Sequence, residues 1–122
     1  MKRDMELVRK ILFAVEEAEG DPRGWLKISI PGHEKNQICY HVMLLHEAGL
    51  IEAIDLCTMG HDGFDWSPRR LTWSGHEFVE SARSDTIWRK ATDKSLELGG
   101  VGFDIFKELL IAYAKQSLGL AA

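Results

Sequence analysis

Five residues in one short span, Cys39, His41, His46, Cys57 and His61, are of the types that hold zinc or act as nucleophile and base. Thiolate and imidazole suit zinc, but structural zinc sites draw their ligands from paired, closely spaced motifs. This chain has no Cys-x-x-Cys pair. Cys39 and His41 are two apart, so on a helix they point to different sides. Cys57 and His61 meet only if a loop folds back. Buried structural cysteines are the commoner arrangement. A catalytic thiol needs an electropositive, partly exposed setting, and nothing near Cys39 in the sequence provides one. His76 and Glu80 share a helix face, yet His76 beside Glu77 reads as a helix-start residue. His41, on the inner half of its helix, reads as a core histidine bonded to backbone. Gly99, Gly100 and Gly102 precede no Lys-Ser/Thr pair, so no phosphate loop is present. The sequence predicts no catalytic residue, no metal site and no cofactor: a non-enzymatic protein.

A second set of residues has the chemistry of nucleic-acid contact. Lys35, Asn36, Gln37 and Tyr40 open a helix, and a recognition helix presents such N-terminal residues to base edges in the major groove. Asn and Gln pair with adenine, and Tyr reaches phosphate. Arg69 and Arg70, on a neighbouring β-ribbon, would hold phosphates. Charge opposes this reading. From Asn36 to Gly75 these two arginines are the only basic residues, against Glu47, Glu52, Asp55, Asp62 and Asp65. Each phosphate neutralised adds a salt-dependent increment to binding, and few cations are at hand to supply it.

A third set suits a protein partner or self-association. Trp25, Trp66, Trp73 and Trp88 are many tryptophans for a chain of 122 residues, and tryptophan is enriched in interface hot spots. Trp73 and Trp88 are expected in the core. Phe64 and Trp66, in a polar loop, and Phe103, on the last helix, are the candidate partner surface.

The elements that must position these residues follow from pattern. Asp4 to Glu19 carries an apolar stripe at Leu7, Val8, Ile11, Leu12 and Val15, the spacing of an amphipathic helix. Asp4 and Glu6 fall in its first turn, and Gly20-Asp21-Pro22 ends it. Trp25 to Ile30 alternates, with Leu26, Ile28 and Ile30 on one side, and predicts a short strand stopped by Pro31-Gly32. A helix over Glu34 to Ala48 turns Ile38, His41, Val42, Leu45 and Ala48 inward and stops on Gly49. Leu50 to Leu56 is a strand, Cys57 to Pro68 a loop and Arg69 to Trp73 the returning strand. Ser74 and Glu77 form a capping box, so a helix begins at Ser74 and packs through Phe78, Val79 and Ala82. Ser84-Asp85 is a further N-cap. The final helix, Phe103 to about Leu118, buries Phe106, Leu109, Leu110 and Tyr113.

Length suits one domain. A net charge of −4 and a hydrophobic fraction of 45% describe a soluble chain with a real core. Two cysteines make no disulfide framework. Met1 to Lys10 is too charged for a secretion signal, and no run is long and apolar enough to span a bilayer. A cytoplasmic protein is expected.

Taken together, Met1-Lys2-Arg3-Asp4 with Leu7-Val8-Arg9-Lys10-Ile11-Leu12, Tyr40-His41 with Leu44-Leu45 and Glu47-Ala48-Gly49-Leu50-Ile51, Arg70-Leu71-Thr72-Trp73 with Gly75-His76-Glu77-Phe78, and Asp85-Thr86 with Trp88 resemble an uncharacterised family common in phages and prophages (domain of unknown function 2513). The resemblance covers almost the whole chain. It implies a winged-helix-like fold and no established activity, so it carries over no functional residue. Winged-helix regulators usually have a separate helix before the recognition helix, and here only Pro31-Gly32-His33 fills that place. The expected architecture is α+β: one winged-helix-like domain over 1–122, with a helix-strand-helix-wing core over 1–75 and additional C-terminal helices over 76–122. Two functions remain open, a DNA-binding regulator and a protein-interaction module of the same shape that does not bind nucleic acid.

Overall fold

The computed structural model describes residues 1–18, 20, 23–57 and 63–119. Among these, the chain forms five helices and one two-stranded antiparallel sheet, an α+β arrangement. It divides into two compact units, Met1–His76 and Glu77–Ala122. No helix among the described residues is long and apolar enough to cross a membrane.

Helix α1 (Met5–Ala18) buries the expected stripe of Leu7, Val8, Ile11, Leu12 and Val15. Each such side chain contributes about 1.5–3 kcal/mol on leaving water. Asp4 lies just before the helix rather than in its first turn. Its carboxylate accepts from the amides of Glu6 (3.0 Å) and Leu7 (3.3 Å), the geometry of an N-cap. The expected stop at Asp21-Pro22 lies outside the described residues, as do Glu19, Gly60, His61 and Asp62.

The segment 25–30 keeps the expected alternation, with Trp25, Lys27 and Ser29 exposed and Leu26, Ile28 and Ile30 turned inward. It is not a strand. One backbone bond, from the Leu26 amide to the Pro68 carbonyl at 2.8 Å, ties it to the sheet. Proline has no N–H to return that bond, so no ladder grows from it.

Helix α2 (Lys35–Glu47) runs between Glu34 and Ala48, and Gly49 follows at φ +76°, the left-handed stop read from the sequence. Strand β1 (Ile51–Asp55) pairs with β2 (Trp66–Leu71). The returning strand therefore begins at Trp66, earlier than expected, and ends at Leu71. Pairing joins Ile51 to Leu71 and Glu52 to Arg70, then skips to Ala53 with Pro68. Arg69 is the extra residue of a β-bulge, so two residues of β2 face Glu52.

Helix α3 (Trp73–Ala82) starts before Ser74, because Thr72 is the cap. Its hydroxyl accepts from the Gly75 amide (3.1 Å) and donates to the Gly49 carbonyl, while its own amide donates to the Leu50 carbonyl at 3.0 Å. That geometry displaces the expected Ser74–Glu77 box. Trp73 also departs from expectation. As the first helical residue, directly after the cap, it points outward and is 81% exposed.

The second unit contains the remainder of α3, α4 (Asp85–Glu97) and α5 (Phe103–Ser117). Ser84 caps α4 by accepting from the Ile87 amide, as expected. Buried Trp88 meets Phe78 and Phe106 edge-on, and Phe78 also meets Phe103. Such aromatic pairs add about 0.5–1.5 kcal/mol each beyond their area. Phe106 and Leu110 of α5 are buried, whereas Leu109 and Tyr113 are only half-buried.

Candidate functional site

The ribbon arginines, read as phosphate contacts, converge on one carboxylate. Glu52 receives Arg70 Nη2 at 2.5 Å and Arg69 Nη1 at 4.0 Å. Successive residues of a regular strand face opposite sides of the sheet, so a bulge is needed to bring both to Glu52. Arg70 also donates to the Leu71 carbonyl at 3.1 Å. The Arg69 guanidinium lies over the Trp25 ring, 3.9 Å from its centroid, while its Nε is buried without a hydrogen-bond partner. A cation over tryptophan contributes about 0.5–2 kcal/mol, depending on solvent access. The pairs with Glu52 are part-exposed and individually weak. Their consequence is to tie both guanidiniums to Glu52 and to offset one of the ribbon's two positive charges within the fold.

The helix residues of the same candidate set are distributed differently. Lys35 and Asn36 are exposed, and Lys35 Nζ stands 3.8 Å from Asp65 Oδ2. Gln37 is half-buried with its amide oxygen 2.9 Å from His33 Nδ1. Tyr40 is half-buried and edge-on to His41. Of the candidate partner residues, Phe64 and Trp66 are half-buried, and Trp66 lies 5.6 Å from the His46 ring. Phe103 is half-buried against Phe78, with the Lys107 ammonium 5.8 Å above its ring.

His41 is fully buried and bonded to backbone at both nitrogens. Nε2 accepts from the Asp4 amide at 2.8 Å, which leaves Nδ1 as the protonated nitrogen donating to the Gln37 carbonyl at 2.8 Å. This ring joins the start of α1 to α2. The sequence pointed to a core histidine but gave no sign that Asp4 was its partner. Cys39 is buried, its thiol 3.6 Å from the Trp66 carbonyl. Cys57 is exposed and held between acids. The Asp65 amide donates to its sulfur at 3.1 Å, and its own amide donates to Asp55 Oδ1 at 2.8 Å. The bond with the Asp65 backbone pulls the thiol pKa down. The Asp55 carboxylate, together with the Asp65 charge, outweighs it, and the thiol titrates above its ordinary value. The Asp55 carboxyl is correspondingly held below its usual range by Cys57. No group of three or more metal-ligating side chains comes together among the described residues.

A concavity lies within the first unit. It is a groove of about 470 Å³ between the 25–30 segment, α2 and β2. Ile38, Cys39 and Val42 form part of its lining, with Leu26, Ile28 and Pro68. Lys27, Lys35 and Asp65 supply its charges. Sequence reasoning placed Lys35 and Trp66 among its candidates but overlooked Leu26, Lys27 and Ile28. The alternation that predicts a short strand over Trp25 to Ile30 was the available signal.

An "Uncharacterized protein" of Haemophilus influenzae (strain ATCC 51907 / DSM 11121 / KW20 / Rd) is 36% identical over 121 residues, which cover 97% of this chain and 99% of the relative. No solved structure matches the chain. The family model described as Hypothetical protein (DUF2513) matches residues 2–102. With that match and that relative, the chain belongs to the DUF2513 family.

Proposed function

We propose that this chain is a non-enzymatic protein-interaction module of phage or prophage type, built on a winged-helix-like frame and acting in the cytoplasm without binding nucleic acid. The observation that carries the reading is the pairing of both ribbon arginines with Glu52. Phosphate would have to compete with a carboxylate already in place, and Arg69 would also have to leave Trp25. Lys35 and Asn36 are exposed, but two residues at one helix start offer little of the counterion release that drives DNA association.

Titration with random duplex DNA across a salt series tests this. The expected result is no measurable binding even at low salt. Glu52→Gln removes the charge that holds Arg69 and Arg70 and should allow weak, salt-sensitive binding to appear. Tight wild-type binding that falls steeply with salt, and weakens when Arg69 and Arg70 are replaced by Ala, would establish a DNA-binding regulator instead.

A further inference from the structure

We infer that the groove between segment 25–30, α2 and β2 receives an extended, acidic segment of another protein, which adds as a strand beside Lys27–Ser29. The inference rests on the interaction-module reading and names its site and ligand class. Lys27, Ile28 and Ser29 are neither helical nor paired, and their burial alternates as it does along a strand. Their amides and carbonyls make no hydrogen bond to any described residue. An unpaired strand edge is a template for an incoming chain. Pro68 prevents the edge from closing onto β2, because it accepts from Leu26 and cannot reciprocate.

The lining selects the side chains. Ile28, Ile38 and Val42 face the groove and suit the apolar residues on one side of an alternating strand. The charges at the groove select sign. Lys27 has no carboxylate partner among the described residues, and Lys35, 71% exposed, meets only Asp65. Two lysines against one aspartate make this place cationic on a chain whose net charge is −4. A carboxylate on the incoming segment complements it.

The test is a capped Val-Thr-Val-Glu-Val peptide added to the isotope-labelled full chain, read by amide chemical-shift changes. Saturable shifts should centre on Lys27–Ser29 and on Ile38 and Val42. N-methylation of alternate peptide amides, replacement of the peptide Glu by Lys, or Lys27→Glu in the protein should each weaken binding by roughly tenfold. Lys27 is exposed, so its variant should retain the wild-type spectrum elsewhere. No shifts up to the peptide's solubility limit, shifts centred elsewhere, or an affinity indifferent to N-methylation would overturn the assignment. Duplex DNA added in parallel separates the two levels of the argument. Peptide failure with no DNA binding removes only the groove, whereas peptide failure with salt-sensitive DNA binding removes the interaction-module reading as well.

Discussion

Gly75→Ala should destabilise the protein although it places a better helix former inside a helix. A Cβ built on Gly75 falls 2.0 Å from the Leu50 carbonyl oxygen, 3.0 Å from its carbon and 3.3 Å from Leu71 Cβ. A carbon–oxygen contact needs about 3.3 Å, so the backbone of Leu50 or the start of α3 must move by about 1 Å. The Leu50 carbonyl also accepts the Thr72 amide at 3.0 Å, so the shift strains the cap. Overpacking against backbone costs about 3 kcal/mol, the upper part of its usual range. Weakening one hydrogen bond adds about 1 kcal/mol, and the Ala propensity returns about 1 kcal/mol. The net loss is about 3 kcal/mol, or roughly 10 °C in melting temperature for a chain of this size. Thermal melting followed by circular dichroism measures it. A variant that melts at or above the wild-type temperature would show that propensity governs and that Gly75 does not lie against Leu50.

His41→Phe keeps ring volume but leaves the Asp4 amide without its acceptor and the Gln37 carbonyl without that donor; urea unfolding should show a loss of about 2–4 kcal/mol, and a loss below about 1 kcal/mol would mean that the ring is not a polar link. Glu34, the α2 N-cap, makes no side-chain cap bond, so Glu34→Ser should raise stability by about 0.5–1 kcal/mol in the same assay; no gain would place the helix start elsewhere. Because its thiol pKa is raised, Cys57 should have less thiolate near neutral pH than an ordinary exposed cysteine and should alkylate slowly with iodoacetamide. Asp55→Asn should move the pH–rate curve to lower pH; an unmoved curve would mean that Asp55 does not control the thiol.

Much of the first unit was legible because single elements obey local rules. The α1 stripe and the Gly49 stop follow from side-chain periodicity and backbone freedom, and both stand as read. What could not be read is pairing across elements. Alternation over Trp25–Ile30 correctly sorted its two faces, but strand status depended on a donor that Pro68 lacks, far along the chain. The Ser74–Glu77 spacing is a sound capping signal that lost to Thr72, whose hydroxyl also reaches Gly49. The aromatic readings divided likewise. Trp88 is buried, while Trp73 occupies the first turn of α3, and a side chain's direction there depends on where the helix starts.

The candidate site shows how one inserted residue changes the chemistry available to a surface. Without the bulge at Arg69, Arg69 and Arg70 would face opposite sides of the ribbon, and Glu52 could pair with only one of them. The other would remain a free cation beside α2, the arrangement a phosphate contact requires. With the bulge, both arginines turn to Glu52, which offsets one of their two charges. Pro68, next in the chain, leaves segment 25–30 unladdered. Two adjacent residues of β2 therefore tie both arginines to one carboxylate and leave segment 25–30 joined to the sheet by a single backbone bond. Neither effect is visible in net charge or composition, because both depend on which residue faces which across the sheet.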